Sequence, residues 1–235
     1  MMFFGDSTLN YMCKTWATLL SGHKLRLHSQ KFSKSQGHPC HHYEIPVGPA
    51  SRIIVRCHCN TDATTPGGQK KHLMEAMGRT DGVPRVIVIG DSNAHSVCHG
   101  IHRSDQVVLD ETKELISLAR KLKYEPSVRL VWVGPVYNSK SYTLLAKRLY
   151  SEQVSLWRQA ITQPNVHIVD QYALTEAVNA KQSADGLHYQ ELLDRNMHEG
   201  DDAFQISGPA IIYTLKLIIN SLMNQGLINQ DEGST

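Results

Sequence analysis

Apolar and polar positions along the chain follow patterns typical of helices in some segments and of buried strands in others. After Ser7, apolar residues recur at intervals of three and four, which predicts an amphipathic helix over residues 9–20. Further helices are predicted over 105–123, 142–161 and 209–223, with a short one over 69–77. Short, strongly apolar or β-branched runs predict strands over 1–4, 52–57, 85–89, 128–133 and 166–169, with a short strand around 24–28.

Strands that alternate with helices predict an α/β fold with a mainly parallel sheet and helices on both faces. Strands that are apolar throughout fit a sheet that is covered on both sides. At 235 residues the chain is long enough to bury one such core. We therefore expect a single domain over 1–225, followed by a polar tail over 226–235.

Charge and composition narrow the classes of function. The formal net charge of +2 does not point to nucleic acid as a partner. No apolar run is long enough for a membrane span, and no secretory signal peptide is recognisable. The expected location is cytoplasmic for the chain as written, or the secretory pathway or extracellular space if an N-terminal segment is missing. Nothing in the sequence predicts an oligomeric state.

Two segments carry the residue types of nucleophilic catalysis. Ser7 follows the first predicted strand and stands directly before a helix, while Asp185 and His188 lie three positions apart late in the chain. A serine hydroxyl needs a base within hydrogen-bond reach, and that base needs an orienting acid. At a strand-to-helix turn Ser7 would lie at the carboxyl edge of the sheet, where ligands bind in open α/β folds. Its N–H would also favour an oxyanion. The alternative is that Ser7 only caps the helix.

These motifs resemble those of a known family. Gly-Asp-Ser after the first strand, with Asp-x-x-His near the end, resembles the SGNH (GDSL-type) hydrolase superfamily. The segments Phe-Phe-Gly-Asp-Ser-Thr at 3–8, Asn-Ala-His at 93–95 and Asp-Gly-Leu-His-Tyr at 185–189 resemble most closely its PC-esterase branch. Within that branch the chain is similar, up to about residue 223, to the C-terminal domain of the neurexophilin-and-PC-esterase-domain proteins. The resemblance implies a three-layer α/β/α sandwich with flavodoxin-like strand order.

The resemblance also implies an activity and roles for residues. It implies a serine esterase or O-acyltransferase that acts on a small acyl ester, such as an acetyl ester, of a carbohydrate, without metal or organic cofactor. Ser7 would be the nucleophile, His188 the base and Asp185 the orienting acid. Some members of the branch lack a full catalytic set, so the alternative is a non-catalytic domain that binds a glycan or a protein partner.

A second Gly-Asp-Ser, beginning at Gly90, follows the predicted strand 85–89. It resembles the third block of the family, which implies that Gly90 and Asn93 serve the oxyanion hole and that His95 lines the pocket. Ser92 is a rival nucleophile. We prefer Ser7 because Asp185 lies 178 positions after it, which suits a whole domain, whereas Asp185 lies only 93 positions after Ser92.

The five cysteines raise two further alternatives. An odd number cannot pair completely, so we expect a mostly reduced chain, with a Cys40–Cys57 or Cys40–Cys59 bridge if the protein is secreted. The Cys- and His-rich segments 40–42 and 57–59 contain the residue types that bind zinc. However, adjacent residues of a strand point to opposite faces, and the spacing is not that of a zinc knuckle. We therefore expect no metal.

Overall fold

A computed structural model describes the chain in separate ranges. These are residues 1–5, 7–21, 40–46, 49, 52–59, 74, 85–90, 104–122, 128–135, 144–160, 166–178, 190–192, 205–207 and 209–223. They form a six-stranded sheet, a two-stranded ribbon and five helices. The strands are β1 (Met2–Gly5), β2 (Cys40–Pro46), β3 (Arg52–Cys59), β4 (Val86–Gly90), β5 (Arg129–Val133), β6 (Val166–Val169), β7 (Gln190–Leu192) and β8 (Gln205–Ser207). The helices are α1 (Ser7–Leu20), α2 (Asp105–Leu122), α3 (Leu144–Ala160), α4 (Gln171–Val178) and α5 (Pro209–Met223).

The strand order confirms the predicted α/β fold. The sheet runs β2-β3-β1-β4-β5-β6, and every neighbouring pair is parallel except β2 with β3. Numbered among themselves, the five parallel strands stand in the order 2-1-3-4-5, which is the flavodoxin-like order. The antiparallel β2 extends this sheet at one edge. The sheet is therefore doubly wound around β1 and β4.

Helices cover both faces of the sheet. Successive strand residues point to opposite sides, so the all-apolar strands present apolar side chains on both faces, and each face is covered by helices. Phe3 belongs to a core cluster with α1 and α5, whereas Met2 and Phe4 belong to a cluster with α2 and α3. The helical members of the first cluster are Leu9, Met12, Cys13, Trp16, Ala17, Leu215, Ile218 and Leu222. Those of the second cluster are Leu115, Ile116, Leu118, Ala119, Val154 and Trp157. The result is a three-layer α/β/α sandwich.

A disulfide crosses from α1 to the sheet and corrects two expectations about the cysteines. Cys13 and Cys57 are bonded, with their Cα atoms 5.8 Å apart. Cys57 pairs in register with Phe3, so it points to the face that α1 covers. The expectation of a mostly reduced chain is therefore wrong for these two residues, and a Cys40–Cys57 bridge is excluded. The alternative Cys40–Cys59 bridge stays a prediction, because the side chains of both residues lie outside the described part of the structure.

Two predicted elements fall outside the ranges above, and one finding bears on membranes. The strand expected around 24–28 is not among the described residues, and of the helix expected over 69–77 only Met74 is described, in helical conformation. The tail over 226–235 also lies outside them. Within the described ranges, none of the helices combines the length and the apolar character that crossing a bilayer requires.

Candidate active site at the carboxyl edge of the sheet

The two Gly-Asp-Ser tripeptides begin side by side. Their first residues, Gly5 and Gly90, end the neighbouring parallel strands β1 and β4, and Phe4 pairs with Ile89 just before them. From β1 the chain crosses to β3 on one side and later to β4 on the other. This reversal of direction makes the carboxyl ends of β1 and β4 the switch point of the sheet, and doubly wound folds bind ligands at that position.

Close packing explains why both strands end in glycine. A Cβ atom on Gly5 would lie 2.9 Å from Cδ2 of Leu9 and 3.3 Å from the Gly90 Cα. A Cβ atom on Gly90 would lie 3.1 Å and 3.2 Å from the two Cδ atoms of Leu9. Leu9 is buried, so it fills the space that side chains would otherwise take. The missing Cβ atoms therefore let the first turn of α1 lie directly against the strand ends.

Ser7 is the first residue of α1, and β1 ends two positions before it. The first N–H groups of a helix have no partner within the helix, and the aligned peptide dipoles make this end positive. Both effects favour negative charge near the Ser7 backbone. The Ser7 side chain itself lies outside the described part of the structure, so its role as nucleophile or as helix cap stays a prediction.

The partners predicted for Ser7 also fall outside the described ranges. Asp185 and His188 belong to the segment between α4 and β7, and Asn93 and His95 follow β4. Ser92, the rival nucleophile, lies in that same stretch. Of the six predicted site residues, the structure therefore describes Gly90 fully and Ser7 by its backbone, and the catalytic roles of all six stay predictions.

The ribbon β7–β8 connects the late part of the chain to α1. β7 begins at Gln190, two positions after His188 in the sequence, and it pairs antiparallel with β8. β8 in turn packs against α1 and α5. The segment that follows the predicted base is thus attached to the helix that begins at the predicted nucleophile.

The carboxyl edge beyond β4 is held by backbone and capping contacts. The Gly134 N–H donates a hydrogen bond to the Val169 carbonyl (2.9 Å), which ties the end of β5 to that of β6. Asp170 then caps α4, because its Oδ1 accepts a hydrogen bond from the Ala173 N–H at 3.2 Å. The Arg158 guanidinium also lies 3.8 Å from Asp170 Oδ2. The described contacts beyond β4 thus serve to join the ends of β5 and β6 and to cap α4, and they assign no catalytic role to Asp170 or Arg158.

A serine–histidine contact occurs elsewhere in the fold, between β6 and α5. Ser221 Oγ lies 2.6 Å from His167 Nδ1. In a catalytic triad the second ring nitrogen contacts an acid. Here Nε2 of His167 is buried and has no hydrogen-bond partner in the described part of the chain. The pair therefore fastens α5 to the sheet, and the described residues supply no acid as the third member of a triad.

One of the possible zinc ligands on β2 and β3 is in a disulfide bond. Cys57 is in the disulfide with Cys13 and so is not available to a metal. In the antiparallel register Cys40 pairs with His58 and His41 with Cys57. The described side chains contain no group of three or more His, Cys, Asp or Glu that could hold a metal ion.

Sequence reasoning missed residues that shape this site. Leu9 and Cys13 both fall in the helix predicted over 9–20, but neither the packing of Leu9 against the two glycines nor the bond from Cys13 to Cys57 was predicted. The repeated glycine at Gly5 and Gly90 was a signal for close packing, because two strands that end in glycine can lie against one side chain.

Comparison of the chain with protein-family models, with curated proteins and with solved structures gave no match.

Proposed function

We propose that the chain is a serine esterase or O-acyltransferase that acts through an acyl-enzyme on an acetyl or other small acyl ester of a carbohydrate. The observation that carries the proposal is the position of Ser7 as first residue of α1, at the switch point of the sheet where β1 and β4 end in adjacent glycines. A helix N-terminus at this point supplies backbone donors to an anionic intermediate.

In the proposed reaction, Ser7 Oγ attacks the ester carbonyl and forms a tetrahedral intermediate. His188 takes the hydroxyl proton and passes it to the oxygen of the leaving alcohol, which departs and leaves an acyl-Ser7. Asp185 holds the imidazole in the tautomer that can accept the proton. Water then releases the acid, which gives an esterase, or a sugar hydroxyl takes the acyl group, which gives a transferase.

The negative oxygen of the intermediate needs donors that are already in place. We assign this role to the backbone N–H groups of Ser7 and Gly90 and to the side chain of Asn93, with His95 lining the pocket. One such donor contributes about 3 kcal/mol to transition-state stabilisation. All of these groups come from the ends of β1 and β4 or from the residues that follow them, so the strand order of the sheet supports their convergence.

Labelling with a fluorophosphonate probe tests the proposal directly, because the probe bonds covalently to an activated serine. We expect one label per chain, located at Ser7 by peptide mass mapping and absent in Ser7→Ala. Ser21→Ala, at the other end of the same helix, is the matched control and should label like the wild type. A label that persists in Ser7→Ala and disappears in Ser92→Ala would show that the two blocks are assigned in the wrong order. A folded wild-type chain that takes no label would favour the binding domain.

The base assignment has its own test, since a neutral imidazole is required to accept the proton. The rate of hydrolysis of 4-nitrophenyl acetate should rise with pH through the imidazole titration, near 6.5 when unperturbed. His188→Ala should lose nearly all turnover, and Asp185→Asn should lose much of it because Asp185 orients rather than transfers the proton. Near-normal rates in His188→Ala, or a pH limb that depends on His95 instead, would contradict the assignment.

A further inference from the structure

The Cys13–Cys57 disulfide holds the helix that begins at Ser7 against the sheet. Cys13 follows Ser7 by six positions on α1, which is less than two turns, or about 9 Å along the helix axis. Cys57 lies on β3 beside Phe3 of β1. The start of α1 is therefore attached to the sheet in two ways. The peptide chain links it to the end of β1, and the disulfide links it to β3 less than two turns further along the helix.

The bond is enclosed in the core. Both cysteines are completely buried, in the cluster that also contains Leu9, Trp16 and Val55. A thiolate must reach one of the sulfur atoms to open a disulfide, so reduction requires α1 to move away from the sheet. Burial thus makes the bond a stable part of the fold, and the bond in turn limits the motion of α1.

The fit at the N-terminus of α1 leaves little freedom. Leu9 lies against two glycines so closely that a methyl group on either would be within about 3 Å of it. A displacement of 1 Å at a reacting group can lower a rate by about 10²-fold. Small motions of α1 would therefore matter more to chemistry at Ser7 than to the stability of a helix that keeps its apolar contacts.

On these grounds we infer that the Cys13–Cys57 disulfide is a positioning bond for Ser7, so that the oxidised chain is the form competent for acyl transfer. The inference rests on the proposed function. It also implies that the domain gains its activity where thiols can be oxidised, because such bonds form and persist in oxidising compartments.

The redox step is a two-electron exchange. On maturation the two thiols lose two electrons and two protons to a disulfide oxidant such as glutathione disulfide, which becomes two glutathione thiols. In the reverse direction a dithiothreitol thiolate attacks one protein sulfur and forms a mixed disulfide. The second dithiothreitol thiol then displaces the protein sulfur, which leaves cyclic oxidised dithiothreitol and two protein thiols.

The double variant Cys13→Ala/Cys57→Ala removes the bond without leaving an unpaired thiol at either position, and Ile116→Ala is its matched control. Ile116 is buried on α2 against the opposite face of the sheet, so the control loosens the core without touching α1. At a temperature where circular dichroism shows all three proteins folded, we expect fluorophosphonate labelling of Ser7 to be at least tenfold slower in the double variant. The control should label within twofold of the wild type. In the wild type, dithiothreitol should slow labelling in step with the appearance of alkylatable thiols at Cys13 and Cys57, located by peptide mass mapping, and glutathione disulfide should restore it.

Two results would overturn the inference. One is a double variant that is folded and labels at the wild-type rate; the other is equal slowing in the double variant and in Ile116→Ala, which would mean a general effect of stability. If the oxidised wild type takes no label, the proposed function fails instead. Hydrogen exchange of the amides 11–14 then decides the positioning role, since we expect it to be at least tenfold faster in the double variant than in the control. Equal exchange would refute that role.

Discussion

Replacing Gly90 with alanine places a methyl group where Leu9 already lies. The new Cβ would be 3.1 Å from Cδ2, 3.2 Å from Cδ1 and 3.3 Å from Cβ of Leu9. Carbon atoms in favourable contact are about 3.5–4.0 Å apart, so Leu9 must move by a few tenths of an ångström. Leu9 is buried and held by the first turn of α1, so this movement is transmitted to the helix that starts at Ser7.

The expected loss of stability follows from two opposing effects. Extra methyl groups in a packed core typically destabilise by about 1–3 kcal/mol. Alanine also has fewer conformations than glycine in the unfolded chain. This effect stabilises the folded protein by about 0.4–1 kcal/mol where alanine can adopt the backbone conformation of the glycine. We therefore expect Gly90→Ala to lower the free energy of unfolding by about 0.5–2 kcal/mol.

Urea unfolding of the oxidised chain, followed by circular dichroism, measures this change, and a double-mutant cycle with Leu9→Ala isolates its cause. Leu9→Ala alone should destabilise by about 2–5 kcal/mol because it leaves a cavity. In that background both Cδ contacts are gone and only the 3.3 Å contact with the retained Cβ remains, so Gly90→Ala should no longer destabilise and should be neutral or slightly stabilising. The coupling should then exceed about 0.5 kcal/mol. Gly134→Ala is the matched control, because the nearest atom to its new methyl would be Trp132 Cη2 at 3.4 Å, an ordinary contact.

The reasoning fails if Gly90→Ala is equally destabilising with and without the Leu9 side chain. It also fails if Gly134→Ala destabilises as much as Gly90→Ala, since a general intolerance of strand ends would then explain both.

Three further outcomes are expected. Ser221→Ala should lower the free energy of unfolding by about 1–3 kcal/mol, measured in urea, because His167 Nδ1 loses its 2.6 Å partner; an unchanged midpoint would contradict the contact. Trp157→Ala should destabilise by about 3–5 kcal/mol in the same assay, because a completely buried ring stacked 5.3 Å from Trp132 is removed, and a smaller loss would mean that the layer closes around the gap. Esterase activity should survive prolonged incubation with EDTA; bound zinc whose removal abolishes activity would refute metal-free catalysis.

Hydrophobic periodicity was sufficient for the elements whose buried positions are apolar. β1 and β4 begin and end within one residue of their predicted limits, because apolar side chains fill their buried faces. α2 also matches its prediction within one residue, because its buried Leu115, Ile116, Leu118 and Ala119 mark an apolar stripe even though Glu111 and Thr112 are buried beside it. α4 was missed for the opposite reason. It has eight residues, and its buried positions include Gln171 and Thr175, so no apolar stripe marks it in the sequence. Polar residues in a core are recognisable only when their neighbours in space are known.

β2 and the disulfide show a second limit of local pattern. Among the β2 side chains that the structure describes, Tyr43 and Ile45 are the buried apolar ones, too few to distinguish a strand from the polar stretch before it. The partner of Cys57 depends on which helix covers its face of the sheet, and sequence spacing contains no such information. The approach of Gly5 to Gly90 likewise depends on strand order. That order was implied by the family resemblance and not by the apolar pattern.

The central place of β1 also has a consequence for synthesis on the ribosome. Met2 pairs with Arg56 on one side and with Ile87 on the other, so this strand emerges long before either neighbour. At about 5–20 residues per second, roughly 4–17 seconds pass before β4 has been made. Until β3 has been made, which takes roughly 3–11 seconds at that rate, the apolar Met-Phe-Phe segment has no neighbouring strand to pair with, and its other edge stays unpaired until β4 follows. A nascent chain of this topology therefore depends on shielding of its first strand, and refolding from denaturant should be slowed by the same non-local pairing.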